Sequence, residues 1–407
     1  MKIVGLVTEY NPFHNGHKYH LEQSKLETNC NYSVAVMSGN FVQRGEPAIC
    51  DKWTRAKMAV DAGVDLVLEL PTLYSTMSAE YFSYGAVKLL DSLNVIDYIS
   101  FGSETNDLES LIKISKILGS EPKDFKYHLK KHLNKGMSFP KARSEALKNI
   151  FNDYKIDNII NNPNNILAIE YIKSLITLNS TIKPHSIKRI ISDYNEITLT
   201  GNISSATAIR RSLISEGISD KETSYSLPIH SKKHISKYLA NYSSFNQLIN
   251  FNDILIYKLR TIDKDYLKEF IDIEIGLENR IIEAANKFDN IIDIIKNIKT
   301  KRYTYTRIQR ILIHILLDIN YKKDQFYNFP LYIHVLGSNK KGFEILKNIK
   351  SNSNLPIINK VADFKKNNLN KMFDLDIKAS NIYFIGVNNK TNIKNNFDFY
   401  ISPYIRT

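Results

Sequence analysis

Strand-like and helix-like patterns alternate through the first two hundred residues. Ile3–Val7, Tyr32–Met37, Leu66–Leu70 and Asp97–Phe101 are short runs rich in β-branched or aromatic residues, of the length of buried strands. Between and after them, Gly16–Lys25, Lys52–Ala62, Ala79–Leu93 and Leu108–Leu118 carry apolar residues at helical spacing and are bounded by Gly, Pro, Asn or Asp. This alternation predicts crossover units, and so an α/β, doubly wound parallel sheet in a first domain over residues 1–220. In such sheets ligands bind beyond the carboxyl ends of the strands, so the segments after Val7, Met37, Leu70 and Phe101 should face one cleft. From about Glu222 to Ile319 the strand signal fades. Asp263–Ile275, Leu277–Phe288 and Tyr305–Asp318 read as helices of a helical domain over 221–325. The tail, 326–407, returns to a small α/β pattern: Leu331–Leu336 as a strand, Lys340–Lys350 as a helix and Asn381–Val387 as a second strand.

Composition narrows the class. With 43% hydrophobic and 24% charged residues over 407 positions, the chain can bury a sizeable core, which excludes disorder throughout. Cys30 and Cys50 are the only cysteines, too few for a disulfide scaffold and too far apart for a paired zinc motif. Ile3–Val7 is shorter than a secretory apolar segment, and no run approaches the ~20 apolar residues of a membrane span, so a cytoplasmic protein is expected. A formal charge of +13 favours a polyanionic partner, against the alternative of a merely solubilising surface.

Candidate chemistry begins at His14-Asn15-Gly16-His17, where a strand gives way to a helix. Two imidazoles one turn apart, with unpaired amides and the positive end of the helix dipole, make a cationic, donor-rich floor for phosphate. Gly16 permits close approach because no Cβ intervenes. A metal-ligand pair or two surface histidines are the competing readings. Ile203-Ser204-Ser205-Ala206-Thr207-Ala208-Ile209-Arg210 starts a second helix whose hydroxyls and guanidinium suit outer phosphates, or simply cap it. Lys301-Arg302-Tyr303-Thr304-Tyr305-Thr306-Arg307-Ile308-Gln309-Arg310 has four cations, two tyrosines and no acid, a composition suited to RNA or to a solvated helix face. Lys123, Lys126, Lys130, Lys131 and Lys135 form another basic stripe. Asp51, Glu69, Glu80 and Glu104 near strand ends read as caps or ion-pair partners before acid–base groups, and Trp53 as packing. Met37–Ala48 is either a cover over the cleft or a static loop.

His14–His17 resembles the HxGH signature of the nucleotidyltransferase superfamily, and Ser204–Arg210 looks like its (I/V)SSTxIR element with Ala206 where a hydroxyl is expected. Longer blocks are more specific. Gly5-Leu6-Val7-Thr8-Glu9-Tyr10-Asn11-Pro12-Phe13 ahead of the histidines, Met37–Ala48, Asp65–Pro71, Phe101-Gly102-Ser103-Glu104, Pro163–Leu167, Lys188–Ile190, and Arg302-Tyr303-Thr304 with Arg307-Ile308-Gln309-Arg310 resemble the bacterial tRNA(Met) cytidine acetate ligase family. That resemblance implies a HUP/Rossmann-like fold and an enzyme that activates acetate as acetyl-adenylate, then acetylates the wobble cytidine of elongator tRNA(Met) to N(4)-acetylcytidine. It implies ATP along Val7–His20, which adds Asn15, Lys18, Tyr19 and His20 to the residues named, with Gly102, Asn164, Arg189 and Ile190 completing the pocket. His14 and His17 would be catalytic, Ser205, Thr207 and Arg210 would hold outer phosphates, and Lys301, Arg302, Arg307 and Arg310 would bind tRNA. Mg²⁺ would enter with ATP, without a protein cage and without zinc. A metabolite adenylyltransferase and a non-catalytic RNA-binding protein with a nucleotide pocket remain the alternatives.

Overall fold

The structure, a computed structural model, describes residues 1–137, 139–151, 156–189, 202–320, 331–365 and 371–407. Its strands are β1 (Ile3–Thr8), β2 (Tyr32–Ser38), β3 (Phe41–Val42), β4 (Glu46–Pro47), β5 (Leu66–Leu70), β6 (Tyr98–Ser103), β7 (Lys183–Lys188), β8 (Ile333–Asn339), β9 (Ile357–Ile358) and β10 (Tyr404–Arg406). β5, β2, β1, β6 and β7 lie side by side in that order, all parallel. The centre is buried on both faces: β5 has no exposed position, and Val4, Leu6, Val34, Val36, Val67 and Leu68 are inaccessible. Such apolar continuity is what a parallel sheet covered by helices requires. Strand order reverses at β1. The chain first builds outward through β2 and β5, then returns to the other side of β1 for β6 and β7, leaving the crevice of a doubly wound sheet beyond β1 and β6.

The tail belongs to this same sheet. β8 pairs antiparallel with β5, and β9 and β10 pair parallel with β8, so the strand expected at Leu331–Leu336 extends the central sheet. The strand expected at Asn381–Val387 is not one. Asn381 lies in the helix Lys371–Tyr383, followed by a 3₁₀ turn at Phe384–Gly386. Its aromatics pack sideways, Tyr383 edge-on to Phe41 and Phe384 against Tyr242, so tertiary packing decides a short apolar run that suits either state. The helix expected over Asp263–Ile275 is also cut to one turn, Lys264–Leu267, with Asp272 at φ +69 breaking the pattern before Gly276 starts the helix Leu277–Lys287.

A buried polar cluster fastens tail to core. Lys52, fully buried, donates to Glu69 at 2.9 and 3.0 Å and to Asp398 at 2.8 Å. His334 of β8 meets Glu69 at 2.6 Å, and Trp53 Nε1 donates to Asp398 at 3.1 Å. Burial opposes the ionised carboxylate, but Lys52 and then His334 hold Glu69 down to about 2. Burial raises Asp376 to about 7, with the neighbouring charge of Glu69 adding to it. Trp53 and Glu69 thus take the structural roles expected of them.

Candidate active site

The strand β1 delivers the chain to the switch point, and Tyr10 turns it through φ +46 into the Asn11-Pro12 step. Tyr10, Asn11, Pro12 and Phe13 are buried beneath the site. Tyr10 and Phe13 pack edge to face at 4.7 Å, and Tyr10 packs on His17 at 5.0 Å. Asn11 Oδ1 accepts from Ile49 N at 2.8 Å. These residues support the histidines from below.

His14 is the N-cap of the helix Asn15–Glu27. Its Nδ1 accepts from Gly16 N–H at 3.1 Å, while His17 Nδ1 accepts from His14 N–H at 3.3 Å, a reciprocal cap made of two imidazoles. The rings lie close, with centroids 3.7 Å apart and planes tilted by 31°. A Cβ on Gly16 would come within 2.9 Å of His14 Cε1, so glycine is required by contact rather than by backbone angle. With Nδ1 occupied as an acceptor, the neutral His14 ring carries its proton on Nε2.

The floor is polar but not cationic, which corrects the expectation from sequence. Burial, then the charges of Arg189 and Arg210, lower His14 to about 3. Burial, then His14 itself, holds His17 well below the usual histidine value, and burial followed by Arg189 lowers His20 to about 4. At neutral pH the imidazoles are therefore hydrogen-bonding groups, and the guanidinium groups carry the charge.

The cavity above them, about 240 Å³, draws its walls from distant segments. Val7, Thr8, Glu9, His14, Gly16, His17, Tyr19, His20, Gly102, Asn164, Arg189, Ser205, Thr207 and Arg210 all line it, bringing together the elements named from sequence. Asn15 instead ties down the helix start, donating to Asn202 O and Tyr225 O at 3.0 and 2.7 Å, and Lys18 is exposed beside Glu22. Ile190 lies outside the described residues. At the ends of β6 and β7, Arg189 lies over Gly102 and donates to Asn164 Oδ1 at 3.1 Å. The adjacent Asn165 turns inward to accept from Ser103 Oγ at 2.7 Å. Glu104 accepts from Asn164 N and Asn165 N, a cap on the helix Pro163–Thr177. Ser205 caps the helix Ala206–Ser215 through Ala208 N, and Arg210 donates to Asn11 O at 3.0 Å.

Sequence reasoning missed the apolar side of the cavity: Phe82, Phe101, Leu167, Tyr171 and Ile187. Each sits in an element whose pattern also describes ordinary core. Within Met37–Ala48, Arg44 and Gln43 line the cavity; Arg44 donates to Thr207 Oγ1 at 2.9 Å, and Gln43 N donates to Glu9 Oε1 at 3.0 Å. This segment holds the β3–β4 hairpin and is wedged in place. Gly45, at φ +78, lies so close to the Arg310 backbone that a Cβ would collide with it.

The comparisons extend from the site to the whole chain. Residues 1–398 match the family described as HIGH Nucleotidyl Transferase. A tRNA(Met) cytidine acetate ligase from Thermoanaerobacter sp. (strain X514) is 47% identical over 392 residues, covering 96% of this chain and 97% of the relative. Another from Clostridium perfringens (strain SM101 / Type A) is 47% identical over 415 residues, with complete coverage of both. The chain belongs to the tRNA(Met) cytidine acetate ligase family. Similarity holds in three dimensions as well. The crystal structure of Thermotoga maritima TmcAL bound with alpha-thio ATP superposes with a TM-score of 0.92 at 35% identity, covering 100% of this chain and 99% of that one. Thermotoga maritima TmcAL in its apo form gives 0.94 at 34% identity with the same coverage.

The basic stretch 301–310 is divided by the fold. Lys301 and Arg302 are exposed, Arg302 pairing with Glu274. Arg307 is half-buried, donating to Glu274 at 2.9 Å and to Asp272 O at 2.7 Å, and burial lowers the pKa of Arg310, which packs against the Gly45 loop. Lys123, Lys126, Lys130 and Lys131 project from the helix Lys123–Asn134, and Lys135 follows it; all five are exposed. No helix among the described residues is long and apolar enough to cross a membrane.

Proposed function

We propose that this chain activates acetate with ATP and transfers the acetyl group to the exocyclic amine of the wobble cytidine in elongator tRNA(Met). The carrying observation is the reciprocal His14–His17 cap at the sheet's switch point, in a chain alike from end to end to ligases of that name. In the first step a carboxylate oxygen of acetate attacks the α-phosphorus of ATP. The bond to the bridging oxygen breaks, and pyrophosphate leaves with the electron pair. Acetate is already anionic at neutral pH, so no general base is needed; the step needs positioning and neutralisation of developing charge. His14 and His17 supply hydrogen bonds to the phosphoryl oxygens, and Arg189, Arg210 and Ser205 with Thr207 hold the outer phosphates. In the second step the cytidine N4 attacks the acetyl carbonyl carbon, AMP departs with the electron pair of the broken C–O bond, and the amine proton passes to solvent.

Glu9 is the one carboxylate among the described lining residues, and it is engaged by the Gln43 amide and raised by burial. This donor set does not make a cage, so Mg²⁺ would be held by the phosphates it enters with. Lys301 and Arg302 fit contact with tRNA phosphates directly. Arg307 and Arg310 contribute through the seam that holds them. Incubation with ATP, isotopically labelled acetate and tRNA(Met), followed by nucleoside mass spectrometry, is expected to yield labelled N(4)-acetylcytidine. Unlabelled cytidine alone would refute the reading.

A further inference from the structure

Beside the histidine cavity, a groove of about 780 Å³ runs between the β3–β4 hairpin, the helix Ala206–Ser215 and the helical region. Arg44, Thr207 and Arg210 line both spaces, so anything seated in the groove meets the contents of the cavity across these three side chains. Its rim is partly apolar. Ile214 and Ile249 are 42% and 37% exposed at its rim, and its acids are already neutralised: Glu46 by Arg210 at 3.1 Å, and Asp293 by Lys296 at 3.2 Å.

Two side chains one turn apart on the helix Tyr305–Leu317 line it more pointedly. Gln309 is only 8% exposed, and its side-chain amide makes no hydrogen bond to another described residue and is not among the fully buried unpaired groups, so what access it has is to the groove it lines. Tyr305, half-buried, stands four residues earlier on the same face. An amide that offers a donor beside an acceptor complements the Watson–Crick edge of a pyrimidine, and a tyrosine ring offers a stacking surface for an unpaired base.

We propose that this groove receives the acceptor nucleotide as an unstacked cytosine, stacked on Tyr305 and read by Gln309, with its exocyclic amine directed at the wall shared with the cavity. The assignment rests on the ligase reading above and gives it an acceptor site. Flipping the base out lets the reacting nitrogen reach an activated acetyl group that the duplex stem or the anticodon stack would keep away.

The test uses the full-length protein and a tRNA(Met) transcript with 4-thiouridine at the wobble position. Irradiation is expected to crosslink that base to the peptides carrying Tyr305–Gln309 or Leu248–Ile249; a crosslink confined to other surfaces overturns the proposal. Gln309→Leu keeps the volume and removes both hydrogen-bonding groups. It should leave acetate-dependent ATP–pyrophosphate exchange within about twofold of wild type while cytidine acetylation falls about tenfold or more, and Tyr305→Ala should do the same where Tyr305→Phe does not. Undiminished acetylation in both Gln309→Leu and Tyr305→Ala would overturn it, as would equal loss of exchange and transfer in a folded Gln309→Leu. Absence of acetate-dependent exchange in the wild type would instead refute the ligase reading, whatever the crosslink maps to.

Discussion

His14, Gly16 and His17 act as one unit, because each imidazole closes the other's backbone and the glycine leaves room for the first ring. Alanine at either histidine removes a cap together with the proposed phosphate donor. Acetate-dependent ATP–pyrophosphate exchange should fall about 10²–10³-fold, with tRNA affinity in a filter-binding assay nearly unchanged. The same burial makes the fold acid-sensitive. His14, His20 and His314 sit near 3, 4 and 4 in the folded protein, against an ordinary value of 6.5. The unfolded chain therefore binds more protons below pH 6.5, and stability present at pH 7 is lost progressively as pH falls toward 4. Urea midpoints measured between pH 7 and 5 should drop, and His20→Gln should flatten that slope. The histidine motif was legible because its residues are contiguous. Its charge state was not, since desolvation and the approach of Arg189 and Arg210 arise only once β7 and the helix Ala206–Ser215 have come together beneath one cleft.

Among the elements, β1, β2, β5 and β6 could be read from sequence because a largely buried parallel strand shows as a short run dominated by apolar, β-branched or aromatic residues. β7 could not. Its Lys-Pro-His-Ser-Ile-Lys is a partly exposed edge strand with no such run, yet it brings Arg189 to the site. β10 is three residues long with an exposed end, equally silent in the pattern. The buried Lys52–Glu69–Asp398 cluster joins positions far apart in the chain, and only the folded sheet reveals it. Its worth lies in completeness, since a buried pair that loses one member leaves charge uncompensated. Lys52→Met should cost about 3–5 kcal/mol in urea unfolding. A loss under 1 kcal/mol would mean that Glu69 and Asp398 find other partners.

For the whole molecule, the positive balance anticipated a polyanion, but the fold decides which cations can meet one. Lys301 and Arg302 are exposed, Arg302 while paired with Glu274, whereas Arg307 is half-buried and held by both Glu274 and the Asp272 carbonyl. The double variant Lys301→Ala/Arg302→Ala should weaken tRNA binding and lower the slope of log affinity against log salt by about 1–2. Arg307→Ala should show itself first as lost thermal stability. An unchanged salt slope in the double variant would remove that surface from the RNA footprint.

The sheet is completed from the far end of the chain. Until β8 has been synthesised, β5 is a naked apolar edge, and Glu69 and Lys52 lack the partners that the tail supplies. A ribosome that stops short of residue 333 thus releases a fragment that already contains the histidine motif but presents a sticky strand to its neighbours. Truncated products of this enzyme should accumulate as aggregates rather than as a smaller ATP-binding protein.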